Sequence, residues 1–390
     1  MSKKGNCNGI KKIILTFGTR PEAIKMAPVY FTLKKDKKFD VKLVLTGQHT
    51  KMLDDALNVF GMKPEYNLNI MVARQTLAGI TARAVKKLDA VYKKEKPDLV
   101  LVHGDTSTTF ASALAAFYNG IPAGHVEAGL RTHVKNEPFP EEINRVLTDR
   151  TADLLFPPTE QAKKNLLKEG GASPMITVTG NTVVDAVELL VKKAGKVPPL
   201  ISALPKASKS GFVLFTMHRR ESWGKPLERI FLTLRNFFEK NTGVKLIYPV
   251  HPNPAVSVPA HKILSGAGII LTPPLRYSDL IFLLRKCLFI VTDSGGVQEE
   301  AAVFKKRVLL LRRYTERPEG VRAGFVKVMG LSPAKLKREM EMTLKNGKIF
   351  DRMKKIKNPY GDGKASERIH IAVRKFFKMP VKKSIKEFRG

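Results

Sequence analysis

The stretch Leu99-Val100-Leu101-Val102-His103-Gly104-Asp105-Thr106-Ser107-Thr108-Thr109 decides the architecture. Four apolar residues in a row, Leu99–Val102, read as a strand buried on both faces; a half-buried strand would alternate. A polar turn follows, and Thr108–Tyr118 then has the length and spacing of a helix. The same order repeats on either side. Before this stretch, Ile13–Phe17 and Val41–Thr46 are predicted strands, with helices over Ala23–Lys35, Lys51–Phe60 and Leu77–Lys94. After it, Ile121–Val126, Leu154–Pro157 and Ile176–Val178 are strands, with helices over Glu141–Arg150 and Thr159–Glu169. Strand and helix in strict alternation imply an α/β, doubly wound domain around a parallel sheet.

From Lys192 to Ser210 the chain takes on loop or linker composition, with Gly195, Pro198, Pro199 and Pro205 among Ser and Lys. The alternation then restarts. Phe212–Thr216, Lys245–Pro249, Ile269–Leu271, Phe289–Thr292 and Val308–Leu311 are predicted strands, and Leu227–Glu239, Asp279–Lys286 and Val297–Phe304 helices. A last helical stretch, Lys364–Phe377, follows the turn Asn358-Pro359-Tyr360-Gly361-Asp362-Gly363. Two facing Rossmann-like domains are expected, over residues 1–180 and 181–363. Ligands of such sheets bind beyond the carboxyl ends of the strands, so the cleft between the domains is the expected site.

Composition narrows the class. With 43% hydrophobic and 27% charged residues, the 390-residue chain is neither disordered nor collagenous. No run reaches the ~18 apolar residues of a membrane span, and Met1–Gly9 lacks the apolar core of a signal peptide. Only Cys7 and Cys287 are present, which excludes a disulfide framework and fits a reducing cytoplasm. The eight His residues form no H-x-x-x-H pattern, so no metal is expected. Lys and Arg number 69 against 35 Asp and Glu, a net charge of +34. Such a field favours anionic ligands. Its lysines (Lys34, Lys35, Lys37, Lys38; Lys86, Lys87; Lys163, Lys164) fall on helix-like solvent faces, however, and imply neither a specific nucleic-acid partner nor membrane insertion.

Unusual chemistry collects after the strands. Gly18-Thr19-Arg20-Pro21-Glu22 ends the first and places Arg20 and Lys25 at a helix start, which is either a structural turn or an anion loop. Asp105 is either an N-cap or a functional carboxylate. Glu127, in His125-Val126-Glu127-Ala128-Gly129, stands where a strand ends and is not core material. Glu141 and Arg145 share a helical face, as a surface ion pair would. Asp105, Glu127 and Glu141 come from three successive strand-to-helix segments and can converge on one rim, where neighbouring carboxylates divide into acid and base. In the second half, Asp293-Ser294-Gly295-Gly296 opens a helix with the glycines and hydroxyl of a phosphate cradle, and Glu300 suits ribose hydroxyls. His218-Arg219-Arg220, His251 and Arg317 place further polar groups at strand ends. A sugar nucleotide is the economical ligand, and spacing alone does not choose the reaction.

In order along nearly the whole chain, GTRPEAIKMAP from Gly18, TGQH from Thr46, HGDTSTT from His103, GHVEAGLRT from Gly124, PEEINR from Pro140, TGNTVVDA from Thr179, HRRES from His218, YPVHPNP from Tyr248, TDSGGVQEEA from Thr292, TERPE from Thr315 and NPYGDG from Asn358 resemble the non-hydrolysing UDP-N-acetylglucosamine 2-epimerases. The resemblance implies the two-domain fold of nucleotide-sugar glycosyltransferases (GT-B), with a C-terminal helix, about 364–390, returning to the first domain. It implies an isomerase that interconverts UDP-GlcNAc and UDP-ManNAc for cell-surface polysaccharide precursors. UDP is eliminated to leave 2-acetamidoglucal and is then added back, without redox cofactor or metal.

By the same resemblance, Asp105, Glu127 and Glu141 are the acid/base carboxylates, and Arg145 and His218 are catalytic partners. Arg20, Lys25 and Arg317 contact phosphate or sugar, Ser294, Gly295 and Gly296 hold the phosphates, and Glu300 holds the ribose. Gln48, Arg74 and His251 correspond to a second UDP-GlcNAc site that activates bacterial members. A homodimer in the cytoplasm is expected. One departure is Leu280, where the family can carry an aromatic near the uracil. An epimerase of a UDP-diacetamido-uronic acid and a GT-B glycosyltransferase are the alternatives.

Overall fold

The structure, a computed structural model, describes residues 9–47, 50–72, 75–170, 175–192, 210–266, 268–381 and 384–390, with the backbone alone for 50–52. Gln48 and Arg74, and most of the expected linker, lie outside the described residues. The chain divides into two compact units, one running to Leu189 and including Tyr360–Gly390, the other Leu190–Pro359.

In the first unit, β1 (Lys11–Phe17), β2 (Phe39–Leu45), β3 (Tyr66–Asn67), β4 (Leu99–His103), β5 (Ala123–Val126), β6 (Leu154–Phe156) and β7 (Met175–Ile176) form one parallel sheet. Its strand order is β3-β2-β1-β4-β5-β6-β7. The apolar runs are buried as their continuity requires: Ile13, Ile14, Leu15 and the whole of Leu99–Val102 have no exposed surface. The order reverses between β1 and β4, and this switch point is where an open α/β sheet leaves a crevice. Helices α1 (Arg20–Lys34), α2 (Thr50–Phe60), α3 (Leu77–Glu95), α4 (Ser107–Tyr118), α5 (Glu141–Thr151), α6 (Glu160–Glu169) and α7 (Thr182–Lys192) connect and flank the strands.

The second unit repeats the plan. Strands β8 (Phe212–Thr216), β9 (Lys245–Pro249), β10 (Ile269–Thr272), β11 (Ile290–Thr292), β12 (Val308–Leu310) and β13 (Val326–Val328) are parallel in the order β10-β9-β8-β11-β12-β13. Its switch point lies between β8 and β11. The helices are α8 (Lys225–Lys240), α9 (Pro254–Leu264), α10 (Tyr277–Lys286), α11 (Gly295–Val303), α12 (Pro318–Arg322), α13 (Pro333–Lys345) and α14 (Gly347–Lys355). Of these, α9, α12, α13 and α14, like α7, β3 and β13, were not predicted. Pro254 and Pro259 disguise α9, and β3 and β13 are too short to carry a period.

Helix α15 (Ala365–Phe376) packs in the first unit. Buried Asp185 of α7 receives its first turn, accepting from the amides of Ala365 (3.2 Å) and Ser366 (2.9 Å) and from the Ser366 hydroxyl (2.7 Å). Asp36 after α1 accepts from His370 Nε2 (2.7 Å) and pairs with Arg374. Gly361 makes this approach possible, since a Cβ there would lie 3.0 Å from Val184 and 3.2 Å from the Asn181 carbonyl.

Candidate active site

Each switch point carries the motifs that looked out of place in a core. At the first, Thr19 caps α1 in a box with Glu22, whose Oε2 accepts from the amides of Gly18 (3.0 Å) and Thr19 (2.7 Å). Glu22 Oε1 also accepts from the hydroxyls of Thr106 (2.8 Å) and Thr109 (3.0 Å), which ties the turn after β1 to the turn after β4. Arg20 sits half-buried at the helix start, and Lys25 is buried one turn further on.

Asp105 is not the helix cap. That role falls to Thr106, whose side chain accepts from the Thr109 amide. The Asp105 carboxylate, 32% exposed, is instead held by Arg145 of α5 at 2.6 Å, and Asn144 Nδ2 donates to its backbone carbonyl at 3.0 Å. Arg145 is 3% exposed and also pairs with Glu142 at 3.3 Å. It is therefore not half of a surface pair with Glu141; it is a buried cation aimed at the rim of the sheet, and Glu141 lies half-buried beside it.

Glu127 leaves β5 with φ +68°, a left-handed conformation uncommon for a residue with a Cβ. Its Oε2 meets the Lys25 ammonium, accepts from Asn181 Nδ2 at 2.7 Å and lies 3.7 Å from His103 Nε2. Behind these residues His125 is fully bonded, with Nδ1 2.6 Å from Asp149 and Nε2 2.8 Å from the Gly104 carbonyl. Burial pushes the Asp149 carboxyl up, but His125 and Arg131 overcome this and hold it below the usual range. The sequence did not single out Glu22, Asn144, Asp149 or Asn181. Only their adjacency to the strand-end motifs signalled them.

At the second switch point, Asp293 follows β11 with no exposed surface and accepts from the amides of His218 and Arg219, both at 2.9 Å. It thereby shapes the turn after β8. His218 Nδ1 lies 3.4 Å from its Oδ1, and the His218 ring stacks on His251 at 5.9 Å. Burial lowers the His251 pKa, and His218 adds to this while Asp293 opposes it. His251 also lines an apolar cavity of about 270 Å³ with Val250, Pro252, Leu271 and Pro273.

Ser294 is the N-cap of α11, yet its hydroxyl makes no capping bond. Gly296 faces open space, whereas a Cβ on Gly295 would meet the Arg317 guanidinium at 2.8 Å. Gly295 thus makes room for an arginine, a reason for glycine other than the phosphate approach expected there. Arg317 is buried on Glu299 and Glu316, each at 2.5 Å. Burial alone would raise the Glu316 carboxyl, but Arg317 and Arg312 hold it far below the usual range. Glu300 is buried on the same helix. A partly exposed Gly296, a Ser294 hydroxyl that makes no capping bond and the positive end of the helix make this start attractive to an anion.

These features agree with the kinship of the chain. The profile of a family described as UDP-N-acetylglucosamine 2-epimerase matches residues 32–374. The chain belongs to this family. It is 48% identical over 359 residues to the UDP-N-acetylglucosamine 2-epimerase of Bacillus subtilis, covering 92% of this chain and 93% of that one. A UDP co-structure of S. aureus MnaA superposes with a TM-score of 0.89 at 47% identity, covering 97% and 100% of the two chains. The Neisseria meningitidis UDP-GlcNAc 2-epimerase bound to UDP-GlcNAc gives 0.88 at 42%, covering 93% and 100%. A Polygonum tinctorium UDP-glucosyltransferase, at 12% identity and a TM-score of 0.64, shares the two-sheet GT-B-like fold alone. Among the described residues no helix is long and apolar enough to cross a membrane.

Proposed function

We propose that this epimerase interconverts UDP-GlcNAc and UDP-ManNAc by eliminating UDP and adding it back. A carboxylate removes the C2 proton as the C1–O bond to UDP breaks, leaving 2-acetamidoglucal and UDP. UDP oxygen then attacks C1 while a proton is delivered to the opposite face of C2. The observation that carries this reading is the pair Asp105 and Glu127 on turns after the neighbouring strands β4 and β5, each carboxylate set against a buried cation, Arg145 or Lys25. A weakly acidic C–H needs a fixed base, and both carboxylates are fixed. Glu141 is the third acid/base carboxylate, and Arg20 and Lys25 contact phosphate or sugar.

In the second unit, Ser294, Gly295 and Gly296 hold the diphosphate, Glu300 holds the ribose, and His218 stands by the leaving group. Arg317 acts from beneath, by supporting the start of α11. Proton NMR of UDP-GlcNAc in deuterium oxide, with enzyme and no acceptor, tests the proposal. Deuterium at C2 together with UDP-ManNAc is expected; unchanged substrate would sink it, and acceptor-dependent sugar transfer would point to a glycosyltransferase.

The enzyme is further proposed to be a cytoplasmic homodimer that feeds polysaccharide synthesis. UDP-GlcNAc also activates it at a second site made by Gln48, Arg74 and His251. Equal rates on pure UDP-ManNAc with and without a trace of UDP-GlcNAc would reject that activation.

A further inference from the structure

We infer that His103 is a positioning residue for Glu127, completing a hydrogen bond to its carboxylate when the site is at work. The inference rests on the epimerase reading and adds a residue to it. His103 ends β4, directly before the turn that carries Asp105, and is 3% exposed. Neither ring nitrogen finds a hydrogen-bond partner among the described residues. Its neighbour His125, on the next strand, satisfies both of its nitrogens. Two unpaired buried nitrogens are costly, and an apolar ring of the same shape would fill the space without that cost. A group left so is an interaction waiting to be made.

The partner is at hand. The register of β4 on β5 pairs His103 with Val126, and the Gly104 amide donates to the Val126 carbonyl at 3.0 Å, so His103 lies alongside the start of the Glu127 turn. Nε2 stands 3.7 Å from Glu127 Oε2, a shift of under about 1 Å from a bond. That oxygen already meets Lys25 and Asn181. An Nε2–H donated to it would fix the carboxylate from a third direction. A ring held at the end of a strand is directional where a lysine ammonium is not, which suits an acid/base group that must keep its place during the reaction.

The test uses the full-length enzyme and four measurements: kcat, KM, the rate of deuterium entry at C2, and thermal stability. In His103→Phe, kcat and C2 exchange should fall together by roughly a hundredfold, the scale of a misplaced catalytic group, with KM within about threefold and stability not reduced. His103→Gln can place an amide N–H near Nε2 and should recover at least about tenfold over Phe; His103→Asn places it near Nδ1 and should not. Phe with kcat within about threefold of wild type, or Gln no better than Asn, would overturn the inference. Should Phe fail to fold, the Gln and Asn pair still decides. A wild-type enzyme that forms no UDP-ManNAc would instead refute the proposed function, so the two failures are distinct.

Discussion

Glu127 combines three costs in one residue: a left-handed backbone, a largely enclosed carboxylate and a buried lysine paired to it. Glu127→Gln keeps the shape and removes the charge. Its kcat should fall by at least ~10²-fold, read as epimer formed. Lys25, a buried cation, would lose the charge of that carboxylate, so the thermal midpoint should fall as well. Adding Lys25→Met should restore the midpoint and leave activity lost; a restored kcat would contradict the assignment of Glu127. His125→Phe should destabilise by about 1–3 kcal/mol in urea, because Asp149 and the Gly104 carbonyl lose a partner. It should also lower kcat more than it raises KM, since Gly104 carries Asp105. At this scale the sequence singled out Asp105 and Glu127 as candidates, because a carboxylate where a strand ends is not core material. It did not reveal Asn181 or Asp149, ordinary polar residues that matter only through what the fold brings beside them.

The end of α3 shows how a sheet edge is fastened. Glu95, its last residue, takes Lys12 of β1 (2.9 Å), Lys42 of β2 (2.7 Å) and the Tyr66 hydroxyl of β3 (2.5 Å). Hydrogen bonds from Lys42, Tyr66 and Lys12, in that order of strength, hold its carboxyl down to about 2. A carboxyl depressed in the folded state stabilises it above the unfolded pKa of about 4.3 and loses that contribution as pH falls toward the folded value. Glu95→Gln should therefore lower the unfolding free energy measured in urea at pH 7 by on the order of 1 kcal/mol, since water reaches the partners Lys12 and Lys42 and screens the pairs. The gap to wild type should narrow between pH 4 and pH 3, and a gap independent of pH would refute this account. Most elements were legible because their apolar runs are long and uninterrupted. Those not predicted lack such a signal: α9 starts on Pro254 and contains Pro259, and β13 has three residues at a sheet edge. Pairing with β12 makes that segment a strand, where propensity alone would not.

For the molecule as a whole, strand alternation foretold both sheets, and the tertiary return of α15 added what alternation does not encode. Asp185, Asp36 and Gly361 are set for that helix by residues far apart in the chain. The charge of +34 belongs at this scale too, being spread over solvent faces. Binding to duplex DNA should be detectable at ~50 mM salt, fall by orders of magnitude by ~200 mM, and be indifferent to Glu127→Gln; salt-resistant binding would mark a real nucleic-acid site. The closing of the first unit by α15 also sets a timetable. The Phe388 amide donates to the Val178 carbonyl at 3.0 Å, across more than two hundred positions of sequence. A ribosome adding about 5–20 residues per second needs roughly 10–40 s to travel that distance. Throughout that interval the first unit of a nascent enzyme waits, its Asp185 carboxylate unmet by Ala365 and Ser366, while the second unit is being made.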